Sequence, residues 1–114
     1  MSGLLPDPEA GMEISPAKVA ELLPAIARGE IALIDCREDD EWRFNRIEGA
    51  RLVPLSSFGT APLPEGPAII YCHHGMRSLR ATNFWRSRGH PAVWSMSGGI
   101  DRWSAEIDPS VPVY

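Results

Sequence analysis

The hydrophobic positions fall into an alternation of helical stripes and short apolar runs. Val19, Leu22, Leu23 and Ile26 recur at i, i+3, i+4 and i+7, the spacing of one face of an α-helix. Ser15-Pro16 supplies the start signal, a capping hydroxyl followed by a proline in the first turn. Pro24 interrupts the stripe and predicts a kink or stop near Leu23, and Gly29 closes the segment. Ile31 to Asp35 (IALID) is apolar without alternation, which fits a strand covered on both faces. Glu38 to Arg46 reads as a helix with acids in its first turn, and Ala50 to Pro54 as a short strand. Residues 54–67 hold four prolines and two glycines and read as a loop. Ala68 to Tyr71 (AIIY) is a further buried strand. Ser78, Ala81, Thr82 and Trp85 share a helical face, and Gly89 marks that helix's end. Ala92 to Ser95 reads as the last strand, followed by a Gly98-Gly99 turn, a helical turn bearing Trp103, and an extended tail, DPSVPVY.

Strands alternating with helices imply right-handed crossovers and an α/β sheet with helices on both faces. In such folds sites lie at the carboxyl ends of the strands. Residues 1–12 carry proline, glycine and aspartate without periodicity. They read as an N-terminal arm that could be disordered, with a single domain over residues 13–114. Trp42, Trp85, Trp94 and Trp103 read as core or half-buried anchors, and no glycine-rich nucleotide fingerprint is present.

Composition narrows the class. The chain has 114 residues, 44% hydrophobic and 23% charged, ordinary values for one globular domain. Two cysteines exclude a disulfide-dense scaffold. Apolar runs such as Ile31 to Ile34 are too short to span a bilayer. The first fifteen residues lack the basic-then-apolar order of a signal peptide, so the expected location is the cytoplasm, without a membrane partner. The net charge of −4 argues against a nucleic-acid binder. It is uneven: residues 1–71 sum to −6 and residues 72–114 to +2. Arg77, Arg80, Arg86 and Arg88 follow Cys72 with no acid before His90, a local field suited to a small anion. Arg86 and Arg88, late in their helix, are expected to solvate its exposed end and complement its dipole.

The informative stretch is Cys72-His73-His74-Gly75-Met76-Arg77-Ser78, between a buried strand and a helix. Loop N–H groups there can form an anion-binding nest. The helix N-terminus adds partial positive charge, and Arg77 adds a full one. All three favour thiolate over thiol at Cys72. Gly75 supplies the backbone freedom of a tight curl, and Ser78 is a candidate helix cap.

These motifs together resemble the rhodaneses, a family of sulfurtransferases. The resemblance runs from about Ile14 to Tyr114. It rests on LIDCRE (Leu33 to Glu38), on Glu41-Trp42 followed by Ile47-Glu48-Gly49-Ala50, on CHHGMRS, and on SGGIDRW (Ser97 to Trp103), in that order and spacing. Cys36 departs from the family's usual Val, Asn45-Arg46 from its Gly-His, and Glu48 from its Pro. The resemblance implies a mainly parallel sheet of about five strands. It also implies a ping-pong transfer of sulfur from thiosulfate or a persulfide to a thiol or cyanide through a persulfide on Cys72. An activated thiolate is the expected nucleophile for such a covalent intermediate, and loop N–H groups would stabilise its charge.

His73, His74, Gly75, Met76, Arg77 and Ser78 are the expected substrate-binding residues, with Arg77 holding the anionic donor. Asp35, Arg37 and Glu41 are expected in structural support, Arg37 pairing with Glu41 and Asp35 bracing the loop floor. The C-x4-R spacing makes a cradle smaller than the C-x5-R loop of cysteine phosphatases, suited to one sulfur rather than a tetrahedral oxyanion. No metal and no cofactor are expected, since adjacent histidines rarely converge on one ion. Cys36 reads as a small apolar filler. The sharper alternative is that it resolves the persulfide or protects Cys72 as a disulfide, because its strand neighbours that of Cys72 in the family's sheet. Two other functions remain open: a non-catalytic binding or regulatory module, and a carrier serving one acceptor protein. A monomer is the expected state.

Overall fold

The computed structural model describes residues 5–114. Five strands form one all-parallel sheet: β1 (Glu13–Ile14), β2 (Ala32–Asp35), β3 (Arg51–Leu52), β4 (Ala68–Tyr71) and β5 (Val93–Met96), in the order β1-β5-β4-β2-β3. Five α-helices accompany them: α1 (Pro16–Glu21), α2 (Leu23–Ala27), α3 (Asp39–Phe44), α4 (Met76–Ser87) and α5 (Gly99–Glu106). The α/β architecture with helices on both faces is the one the alternation of stripes and runs predicts.

The period-2 alternation of the strands divides the core. Leu33, Ile69, Tyr71, Trp94 and Met96 face Val19, Leu22, Ile26, Ile100 and Trp103 from α1, α5 and the segment around α2. Ile34, Cys36, Ala68, Ile70, Cys72 and Val93 face Ala81 and Trp85 of α4, together with Phe58. The uninterrupted apolar runs of β2 and β4 follow from this, since both of their faces are covered. Trp85 is 1% exposed and stacks on Phe58 at 4.4 Å. Phe58 lies in the proline-rich stretch after a 3-10 turn at Leu55–Ser57, so that loop contributes to the core. Trp42 is half-buried, with the Arg46 guanidinium 4.4 Å over its ring.

Local signals act where the sequence places them. Ser15 Oγ accepts from the Lys18 N–H at 3.1 Å. The helix that Pro24 was expected to end stops at Glu21, and Pro24 then sits in the first turn of α2, where its missing N–H costs nothing. The expected strand Ala50 to Pro54 contracts to two residues, and the last strand shifts by one, to Val93–Met96.

β1 is an addition. It is a two-residue edge strand paired with β5 through Glu13↔Ser95 and Ile14↔Met96, too short to leave a period in the sequence. Of the N-terminal arm, residues 1–4 lie outside the described residues. Leu5 packs against the core, Pro8–Ala10 form a 3-10 turn, and the Met12 carbonyl accepts from Ser95 N–H at 2.7 Å. Arg86 corrects an expectation. It is half-buried, and its guanidinium donates to the carbonyls of Val93 and Pro8 at 2.9 Å each, tying α4 to this segment. Arg88 is exposed and lies over the Phe84 ring. Among the described residues no helix is long and apolar enough to cross a membrane.

Candidate active site

Cys72 follows the last residue of β4, in the middle of the sheet, and the loop 72–77 rises from it into α4. Gly75, at φ +108°, makes the left-handed turn that lets the chain curl back. The Gly75 N–H then points at Cys72 Sγ at 3.0 Å and the Ser78 N–H at 3.4 Å. Ser78 Oγ stands 3.5 Å from the sulfur and 2.7 Å from Ser95 Oγ, which β5 supplies from the far side. Ser78 is therefore not the helix cap. It sits in the first turn, its hydroxyl donating to the Gly75 carbonyl at 3.2 Å, and the cap position belongs to Gly75.

The loop is held from outside by α5. Ile100 N–H donates to the Cys72 carbonyl at 2.8 Å, and Asp101 N–H to the His73 carbonyl at 3.1 Å. These bonds occupy the carbonyls on the α5 side of the loop. Gly99, at φ +62°, is in contact with the same carbonyls, and a Cβ there would overlap both oxygens. The Gly-Gly turn before α5 thus serves the cysteine loop directly.

The Cys72 thiol is held well below its ordinary value, at about 4. A hydrogen bond from Cys36 is the largest cause, and those from Ser78 and Gly75 add to it against the opposing effect of burial. Cys36 is pushed in the opposite direction, first by that hydrogen bond and then by its own burial. The pair is one thiolate and one thiol. Both are free cysteines, 0% and 1% exposed for Cys36 and Cys72 respectively. The Gly75 and Ser78 hydrogen bonds lower the Cys72 pKa in the direction expected of the loop, and Cys36 is the unexpected first contributor.

The supporting charges rearrange relative to expectation. Arg37 does not pair with Glu41. Its Nε and Nη2 grip Asp35 at 2.9 and 2.6 Å. Its Nη1 donates to Asn45 Oδ1 at 2.7 Å and Tyr114 Oη at 2.8 Å, and Nη2 also reaches the Asn45 carbonyl at 2.8 Å. Asp35 and Arg37 are both fully buried, and the Asp35 carboxylate accepts from Arg37 where a contact with the loop floor was expected. Burial opposes the Arg37 charge, but the bonds to Asp35 and Tyr114 outweigh it and its pKa rises.

Glu41 instead takes Arg77 in a bidentate pair at 2.7 and 2.9 Å and accepts from Tyr114 Oη at 2.7 Å. The Arg77 hydrogen bonds, above all, hold the Glu41 carboxyl at about 2. Arg77 therefore acts on Cys72 as an anchored charge rather than as a free arm.

His73 lies in a ring stack, 3.9 Å from Tyr114 and 3.8 Å from His74. His74 and Met76 are exposed at the rim. The two histidines converge with Asp101, their ligand atoms all within 4.8 Å of one another. The adjacency argument against a metal missed this grouping because Asp101 comes from α5. Asn45, Ser95, Asp101 and Tyr114 shape the site although none of them was expected among its residues. Ser95 carried a signal, a hydroxyl inside the apolar run AVWSM, and Asp101 lay within the SGGIDRW motif.

A parallel sheet with a cysteine loop at the carboxyl end of its central strand defines a known class. The Rhodanese-like domain model matches residues 18–106, and the chain belongs to the rhodanese family. It is 37% identical over 92 residues to the chloroplastic Rhodanese-like/PpiC domain-containing protein 12 of Arabidopsis thaliana, covering 75% of this chain and 31% of that protein. The chain spans about a third or less of the first curated relatives it matches. It is 26% identical over 96 residues to the thiosulfate sulfurtransferase GlpE of Pseudoalteromonas translucida, covering 82% of this chain and 91% of that one. Its fold superposes on a rhodanese-related protein of Thermoplasma volcanium with a TM-score of 0.75 at 24% identity, covering 91% of this chain and all of that one.

Proposed function

We propose that this domain is a sulfurtransferase working through a persulfide on Cys72. The observation that carries the reading is a buried sulfur that accepts from two backbone N–H groups, in a setting that lowers its pKa. The thiolate attacks the outer sulfur of thiosulfate or a persulfide, and the donor's S–S bond breaks, releasing sulfite or a thiolate. The outer sulfur of the new persulfide carries the negative charge that the loop amides and the start of α4 favour. Arg77, anchored by Glu41, adds attraction for an anionic donor. His73, His74 and Met76 form the rim that the acceptor crosses. Cyanide or a thiol then takes the outer sulfur, and Cys72 leaves again as a thiolate.

The partners that fit are a small anionic sulfur donor and a thiol or cyanide acceptor, the thiol free or on an acceptor protein. Neither nucleic acid nor membrane enters the reaction, and a monomer suffices for it. Two free thiols suit a reducing compartment such as the cytoplasm.

The test is thiocyanate formation from thiosulfate and cyanide, with Cys72→Ser alongside and intact mass followed for one added sulfur. Turnover and added sulfur that both vanish in the variant support the reading. Added sulfur without turnover narrows the role to a carrier for one acceptor protein. Neither on a folded, reduced protein overturns it in favour of a binding module.

A further inference from the structure

Cys36 is a buried thiol whose own nucleophilicity the mechanism does not use. The register Ile34↔Ile70 and Asp35↔Tyr71 continues for one step, with the Cys36 N–H donating to the Tyr71 carbonyl at 3.0 Å. Cys36 and Cys72 are therefore lateral neighbours at the ends of adjacent parallel strands. Alternation puts both side chains on the face of Ile34 and Ile70, and both lie in that apolar cluster. Neighbouring strands are about 4.8 Å apart, within the Cα separation a disulfide spans. The loop N–H groups and Ser78 hold Cys72 Sγ, and Cys36, one residue beyond β2, lies in the same apolar cluster. Both sulfurs are buried, and Cys72 is the one that opens the loop 72–77, whose His74 and Met76 are exposed.

We propose that Cys36 is a resolving cysteine, which discharges the Cys72 persulfide as hydrosulfide when no acceptor arrives. This rests on the persulfide reading above. Cys36 passes its proton to the outer sulfur of the persulfide, and the Cys36 thiolate attacks Cys72 Sγ. A Cys36–Cys72 bond forms, the bond from Cys72 Sγ to the outer sulfur breaks, and the outer sulfur leaves with the Cys36 proton as hydrosulfide. The two cysteines give up two electrons relative to their thiols, and the sulfane sulfur takes them. An external dithiol then reduces the disulfide by exchange at Cys72 and is itself oxidised to a disulfide. The hydrogen bond to Cys72 and the burial of Cys36 hold it as a thiol, and passing that proton to the outer sulfur both frees the attacking thiolate and completes the leaving group. The net activity is dithiol-dependent release of sulfide from thiosulfate, beside transfer to an acceptor. Proximity favours the internal reaction, because two groups held on adjacent strands act at high effective concentration.

The experiment treats reduced, reductant-free protein with thiosulfate and no acceptor. It reads sulfite, sulfide, intact mass and the non-reduced peptide map together. Wild type is expected to gain one sulfur, then lose it as one hydrosulfide per chain while losing two hydrogens, with a Cys36–Cys72 peptide cross-link. The decay should be first order and independent of protein concentration. Cys36→Val, compared per chain that has gained the sulfur because loading itself changes in this variant, is expected to keep the added sulfur and release sulfide at least about tenfold more slowly. Persistent added sulfur in wild type, or sulfide release without the cross-link, overturns the role of Cys36 and leaves the persulfide reading standing. Absence of sulfite and of added sulfur in wild type overturns both. The cross-link in wild type decides the matter even where the valine variant fails to fold.

Discussion

Replacing Arg37 by methionine removes a guanidinium whose hydrogen bonds run to Asp35, Asn45 and Tyr114. The replacement leaves the Asp35 carboxylate fully buried and without its charge partner. Breaking a buried pair in this way costs about 3–5 kcal/mol, because the surviving charge remains desolvated. A domain of this size is stable by about 5–15 kcal/mol, so the variant is expected to fold marginally. Its melting temperature should fall by roughly 12–20 °C.

The double variant Asp35→Leu/Arg37→Met removes both charges. It should recover most of that loss, since an apolar pair of similar volume is often as good as the ion pair it replaces. Recovery should be incomplete, because Asn45 and Tyr114 lose donors in both variants. Urea and thermal unfolding followed by circular dichroism measure all three proteins. A single-variant loss under about 1 kcal/mol, or a double variant no better than the single, would refute the view of Arg37 as the buried hub of this network.

Three further outcomes are expected. The thiolate absorbance of Cys72 should titrate near pH 4 in wild type, and Cys36→Val should move that midpoint upward, since it removes the principal hydrogen bond. The same group links stability to pH: its folded value lies below its ordinary 9.0, so its contribution is fully present above pH 9. Stability relative to Cys72→Ser should therefore decline as the pH falls from 9 toward 4, read by urea unfolding at several pH values. Gly99→Ala should destabilise the fold by about 2 kcal/mol or more and abolish thiocyanate formation, since its Cβ meets the carbonyls of Cys72 and His73. An active, stable Gly99→Ala protein would contradict the account of the α5 turn.

The sequence by itself determined the parts of this protein that depend on near neighbours along the chain. The buried strands around Leu33 and Ile69, the break at Pro24 and the tight curl at Gly75 each follow from a side chain or a φ preference acting within a few residues. So does the loop's own share of the thiolate field, because Cys72, Gly75 and Ser78 are near neighbours, although the largest contribution comes from Cys36 across the sheet. The legible part of the candidate site was therefore the loop itself. The pairings around it were decided only by tertiary structure. Arg37 turned from Glu41 to Asp35 because burial favours the partner two residues away inside the core. That left Glu41 to Arg77, thirty-six positions on. Tyr114 reached His73 because the tail returns over the site. Ser95 and Cys36 met Ser78 and Cys72 because β5 and β2 flank β4 in the sheet. Strand order is set by how both apolar faces are covered at once, a property of the whole chain that no local spacing carries.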